Sequence, residues 1–167
     1  MPYLPDIRDY KPFYIQTEAD ASAVDTAAAF GMVAKSNPYP LLPEPKEVFS
    51  NDWKDEDGDD EYTAGMTYKA VEFEVSFYVK AYSTASASAE AVLRSQVDAF
   101  FAKVRRGSFR AYDSYTGVGY RGVRYAGYAE ESFLRRGDWA RAIFTVTFKA
   151  NDPVTRVALS GGKLEDV

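Results

Sequence analysis

The sequence predicts an α+β fold of mostly antiparallel strands, with one helix packed on a sheet. Two long segments alternate apolar and polar residues with a period of two, and one segment between them repeats every three to four residues. Aromatic side chains make up 16% of the chain, 13 of them Tyr, a bias toward strands and large contact surfaces. At 167 residues the length favours one domain over 1–167. Its expected core is 26–155, a β-sandwich or partial barrel, interrupted by a Pro-rich and acidic excursion at 36–65, with extended tails at 1–20 and 156–167.

In chain order, Thr26 to Lys35 is short and apolar, and reads as a strand whose three alanines also permit a helical turn. Four prolines between Ser36 and Glu47 fix φ and remove N–H donors, which excludes helix and central strand and leaves an extended connection. Asn51 to Glu61 follows, an acidic run around Trp53 and Gly58 that reads as a solvated loop or hairpin tip. From Met66 to Tyr82, Val71, Phe73, Val75, Phe77 and Val79 alternate with polar residues, so one face of this strand is core. N-caps are available from Ser83 to Ser86. Ala89, Val92/Leu93, Val97, Phe100/Phe101 and Val104 then fall on one helical face, about 28 Å long, before Arg105-Arg106 and a stop at Gly107. A meander follows at 108–113, 120–129, 132–136 and 139–150, with tight turns at 114–117 and 136–138.

Charge is unevenly divided. The chain has 20 basic and 25 acidic side chains, a net of -5, but residues 1–65 carry 5 and 14 of them while 66–167 carry 15 and 11. Such a split fits either an N-terminal part folded onto the C-terminal part or copies meeting with opposite signs facing. Zero His and zero Cys exclude disulfides, Cys nucleophiles, Ser-His-Asp triads and Cys/His metal or haem sites. No catalytic, cofactor-binding or metal residue is therefore nominated, and the expectation is a protein that is not an enzyme. Met1 to Asp6 lacks a basic and an apolar signal region, and no window approaches eighteen apolar residues, so neither a Sec signal nor a membrane span is expected.

Four motifs have a plainer reading beside the functional one. An EF-hand centred on Gly58 fails because Trp53 and Ala64 stand where ligands are needed. Glu72 and Glu74 share a strand face, and Glu130-Glu131 are adjacent, but wet carboxylates on strands usually serve solvation. Lys103 to Tyr128 interleaves six cations with six aromatics, the pattern of a nucleic-acid stacking platform, although its Arg121 to Tyr128 departs from the RNA-recognition motif at Val123 and Arg124. The same stretch equally fits strands covering a sheet face or a subunit interface. Arg136-Gly137-Asp138 reads as a hairpin turn.

The second half combines a long alternating strand, an amphipathic helix ending in Gly, Phe109 to Asp113 with a Tyr/Gly-rich strand pair, and a last strand running Ile143 to Pro153 with Phe-x-x-x-Asp-Pro at its end. Over about residues 66–155 this order resembles the siphovirus distal tail (Dit-like) and tail-tube-related components of phages and prophages. That resemblance implies a β-sandwich or partial barrel with one helix, in a structural protein that joins other copies in a hexameric ring and docks to other tail proteins. It implies residence in the virion tail after assembly in the host cytoplasm, with DNA passing through the channel without specific binding. A tail terminator or head-tail completion role is the related alternative, and a nucleic-acid-binding module using 103–128 is the alternative of another class. The expected assembly surface pairs the acidic Asp52, Trp53, Asp55, Glu56, Asp57, Asp59 and Asp60, lining the channel or docked to a neighbour, with the basic Arg105, Arg106, Arg121 and Arg124. No cofactor, membrane or small-molecule substrate is expected.

Overall fold

The computed structural model describes residues 11–35, 38–55 and 57–167. Its elements are β1 (Phe13–Gln16), β2 (Val24–Asp25), α1 (Thr26–Phe30), β3 (Met32–Ala34), β4 (Ser50–Asp52), β5 (Asp59–Glu61), β6 (Val71–Tyr82), α2 (Ala89–Val104), β7 (Phe109–Asp113), β8 (Val118–Arg136), β9 (Trp139–Ala150), β10 (Val157–Ser160) and β11 (Lys163–Asp166). Seven strands form one antiparallel sheet in the order β2-β1-β7-β8-β9-β6-β3, while β4-β5 and β10-β11 are separate two-stranded hairpins.

The alternation seen in the sequence sets the register. In β6 and β9, Val75, Phe77 and Val79 lie opposite Val146, Phe144 and Ala142, and all six are buried on one face. The other face carries Glu74, Tyr78 and Lys80. Strand β8 is longer than either predicted piece. It runs unbroken through 120–136 because bulges at Tyr125/Gly127 and Glu130/Ser132 absorb the irregularities that read as a break.

The sheet curls. Four strand-to-strand steps separate β1 from β6, about 19 Å if the sheet were flat. Yet the Phe13 and Phe77 rings meet edge-on with centroids 5.9 Å apart, and Phe73 of β6 stacks on Tyr120 of β8 at 5.3 Å. The apolar face is thus folded around a shared aromatic core, the partial-barrel geometry. Helix α2 closes its open side. Ser88 caps it by accepting from Ala91 N–H, later in the chain than the predicted Ser83–Ser86 caps. Ala89, Leu93, Phe100 and Val104 are its buried stripe, and Phe100 packs on Phe30 and Phe77. Phe101, the alternative partner in that stripe, turns outward against Tyr125. The Thr26–Lys35 segment is both things its residues permit. Asp25 caps the short α1, Gly31 ends it at φ 66°, and β3 follows.

Both expected tails require correction. Within 1–20, β1 lies inside the sheet between β2 and β7, with Phe13 and Ile15 buried, because four residues suffice to fill a strand slot when both neighbours supply hydrogen bonds. Within 156–167, β10-β11 folds back over β7 and β8, burying Val157 and Leu164. Gly119 makes this possible: a Cβ there would clash with the Val157 carbonyl oxygen.

Candidate functional site

Residues 38–70 leave the sheet and return to it as an arm. Its base is anchored at Tyr39, whose ring packs against Phe73 and whose hydroxyl donates to Asp113 Oδ2 at 2.9 Å. Burial, reinforced by the Asp113 carboxylate, pushes the Tyr39 hydroxyl far above its ordinary pKa, so it stays a donor. Beyond this anchor the two limbs zip together. Lys69 N–H donates to Glu44 O, Lys46 N–H to Thr67 O and Tyr62 N–H to Phe49 O, before β4 and β5 pair from Ser50↔Glu61 to Asp52↔Asp59. From the Pro45↔Tyr68 bridge to the tip is roughly 30 Å of extended chain.

Every described position of β4 and β5 is exposed. So are Leu41, Leu42, Phe49, Trp53 and Tyr62, with Leu41 at 92%. An isolated two-stranded hairpin has little stability of its own, and a run of large exposed apolar groups on it marks a contact surface. At the tip, Trp53 Nε1 donates to Asp60 Oδ2 at 3.1 Å and so holds the indole beside the carboxylates. Asp52, Asp55, Asp57, Asp59 and Asp60 form no ion pair with a body side chain among the described residues. Glu56 lies outside the described residues.

The nominated basic residues are not one surface. Arg105 and Arg106 stand exposed at the C-terminal end of α2, and Arg124 is exposed on β8. Arg121 is bound within the protein: it donates to Asp152 Oδ2 and Asp166 Oδ2, and these hydrogen bonds raise its already high pKa. Arg110 pairs with Asp166 and donates to the Leu164 carbonyl, so the two arginines clamp β10-β11 onto the sheet. Asp152 is held well below the carboxylate range, first by the Thr155 N–H, with Arg121 and Val154 adding to it against desolvation. Lys103 is also taken, by Asp20 at 2.5 Å.

Within 103–128 the aromatics divide by strand parity. Phe109 and Tyr120 are core, Tyr125 packs on Phe101, and Tyr115 and Tyr128 are exposed at separate places, so the stretch does not present a continuous stacking platform. Arg136-Gly137-Asp138 is the β8–β9 turn, with Gly137 at φ 55°. Among the described residues no cluster of three or more carboxylates is placed to hold a metal ion, and no helix is long and apolar enough to cross a membrane.

Two features escape a reading of the sequence. Tyr39 in the Pro-rich stretch carries no local signal that its hydroxyl meets Asp113, 74 residues away. Lys80 and Arg141 sit on the wet faces of alternating strands and become neighbours only through the β6–β9 register.

No protein-family model and no curated protein matches the sequence. Among solved structures, the fold is similar to that of the SPP1 Dit protein, described as a paradigm of the hub adsorption apparatus in Gram-positive-infecting phages. The TM-score is 0.55 at 17% identity, over 88% of this chain and 52% of that one, so the chain spans about half the length of that protein. The fold is thus Dit-like, in keeping with the family that the residue order at 66–155 resembles.

Proposed function

We propose that this protein is a structural component of a phage or prophage tail, acting by self-assembly and docking rather than by chemistry. On this reading the chain is one domain, copies join side by side in a ring of about six around the tail channel, and other tail proteins dock to the ring. Its place is the virion tail, after assembly in the host cytoplasm. The arm is the observation that carries the proposal. A protomer that holds seven exposed large apolar side chains (Leu41, Leu42, Phe49, Trp53, Tyr62, Met66 and Tyr68) on an arm anchored at only one end, with an acidic tip that has no ion pair to the body among the described residues, leaves a surface that a neighbouring copy can bury. The Dit-like fold supplies the context.

The test is light-scattering mass across a concentration series, with negative-stain images of the largest species. A closed ring of about six copies is expected. A strict monomer at every concentration overturns self-assembly.

A further inference from the structure

Strand β8 is flanked on both sides only over its first residues. Val118 to Val123 pair with β7, whereas from Ala126 to Arg136 only β9 lies alongside among the described elements. Which main-chain groups face the open side follows from the pairing. Lys35 N–H donates to Ser76 O, so the even-numbered residues of β6 bond toward β3 and the odd-numbered ones toward β9. Carried across the register through Val79↔Ala142 and Arg141↔Leu134, this alternation turns the N–H and C=O of Tyr128, Phe133 and Arg135 away from β9, and no described group bonds them. Bulges interrupt this edge at Tyr125/Gly127 and Glu130/Ser132, but its roughly 35 Å hold neither Pro nor Lys, the residues that commonly blunt an exposed strand.

The two faces of this edge differ. On the helix side Tyr128 and Phe133 are exposed and, with Leu93 and Val97 of α2 and Ala142 and Phe144, line a groove of about 120 Å³. On the other side Arg136 is exposed and forms no ion pair among the described residues. The arm hairpin is divided in the same way. Asn51 opposes Asp60 and Tyr62 N–H donates to Phe49 O, so Phe49, Trp53 and Tyr62 share one face, while Ser50, Asp52, Asp59 and Glu61 share the other. The outer edges of β4 and β5 are also unpaired among the described strands, and the arm's roughly 30 Å of extended chain matches the length of the β8 edge.

We infer that the free edge of β8 takes a strand of the arm hairpin from a second copy of this chain, extending the sheet by main-chain hydrogen bonds. The inference rests on the self-assembly reading above and adds to it which edge receives the arm. The aromatic face of the hairpin then lies over the groove beside Tyr128 and Phe133, and its acidic face joins Arg136. Charge sets the direction. The tip lies at Arg135 and Arg136, away from Glu130 and Glu131, which brings Ser50 near Ser132 on the face opposite the helix. Edge and hairpin are different surfaces of the chain, so the contact is head-to-tail, the kind that closes a ring.

Arg135 offers a test of the backbone alone. Arg135→Pro removes the outward N–H and leaves the β8–β9 ladder in place, whereas Arg135→Ala removes the side chain and its contact with Glu90 but keeps the N–H. In full-length chains, light-scattering mass across a concentration series should show association weakened by about tenfold or more in the proline variant and unchanged in the alanine variant. Equal behaviour of the two overturns the edge. Cross-linking keeps the inference testable if the proline variant fails to fold. The chain has no cysteine, so Ser50→Cys chains are mixed with Ser132→Cys chains and joined by a short bismaleimide, with Ser160→Cys, exposed on β10 beside the opposite end of β8, as comparator. A link from position 50 of one copy to position 132 of another, with the comparator unlinked, is expected. A ring-sized mass without that link, or with linkage to the comparator instead, overturns the edge while leaving self-assembly standing. A monomer at every concentration overturns both. Slow hydrogen exchange at the Phe133 and Arg135 amides of the monomer would mean that the edge is filled within one chain, and equally overturns the inference.

Discussion

The Tyr39 hydroxyl donates to Asp113 Oδ2 at 2.9 Å across 74 residues of sequence, and this hydrogen bond joins the arm base to the end of β7. Asp113 also accepts from Tyr115 N–H at 2.8 Å and is buried at 4% exposure. Tyr39→Phe keeps the contact with Phe73 and removes only the donor to a buried carboxylate. A loss of about 1.5–3 kcal/mol in urea unfolding is expected, with earlier proteolytic cleavage in the arm; unchanged stability would mean that the anchor contributes nothing.

Low pH should act through Asp20 and Asp152. Burial raises the Asp20 pKa, but the Lys103 ammonium and two hydrogen bonds from Thr17 outweigh it and hold the group below its ordinary value of 3.8. Asp152 is lowered too. A carboxylate depressed in the folded state contributes stability above its unfolded pKa and loses it as pH falls through the folded one. Unfolding free energy should therefore decline as pH drops below about 4, and Asp20→Asn with Asp152→Asn should flatten that decline while lowering stability at neutral pH.

Phe148 is fully buried and its ring meets those of Phe13, Phe73 and Phe109, side chains from three other strands. Phe148→Ala should cost about 3–5 kcal/mol. Thermal unfolding followed by near-ultraviolet dichroism checks it.

Gly119→Ala places a methyl group against the Val157 backbone, which cannot rotate away as a side chain can. The C-terminal hairpin should lift, and Arg110 and Arg121 lose Asp166. Hydrogen exchange is the measure: faster exchange confined to β10 and β11 is expected, and wild-type protection there would show that the hairpin docks without this close approach.

Replacing residues 50–61 with an Asn-Gly turn removes strands whose every described position is exposed. The shortened protein should melt within about 3 °C of the original, since surface changes of this kind stay within about 0.5 kcal/mol. Its mass by light scattering should be that of a monomer. Retained assembly would place the contact elsewhere.

Much of the fold is legible because burial writes itself into local periodicity. In β6 and β9 the apolar residues at every second position are the ones found buried, and in α2 the three-to-four spacing picks out Ala89, Leu93, Phe100 and Val104. The β8 bulges read as a break because an extra residue disturbs alternation in the same way as a turn. The strands within 11–20 and 156–167 give no such signal because β1 and β11 are only four residues each, too short to show a period.

By itself, then, the sequence determined the strand and helix faces, the acidic arm tip, and the absence of thiol and imidazole chemistry, since each depends on residue type and near neighbours alone. Tertiary structure decided what pairing across distance decides. The sheet curled until Phe13 met Phe77, Arg121 was spent on Asp152 and Asp166, and Lys80 was set against Arg141. Which charges remain available to a partner depends on strand register and on which ion pairs close within the protomer, and neither quantity is carried by any local stretch of residues.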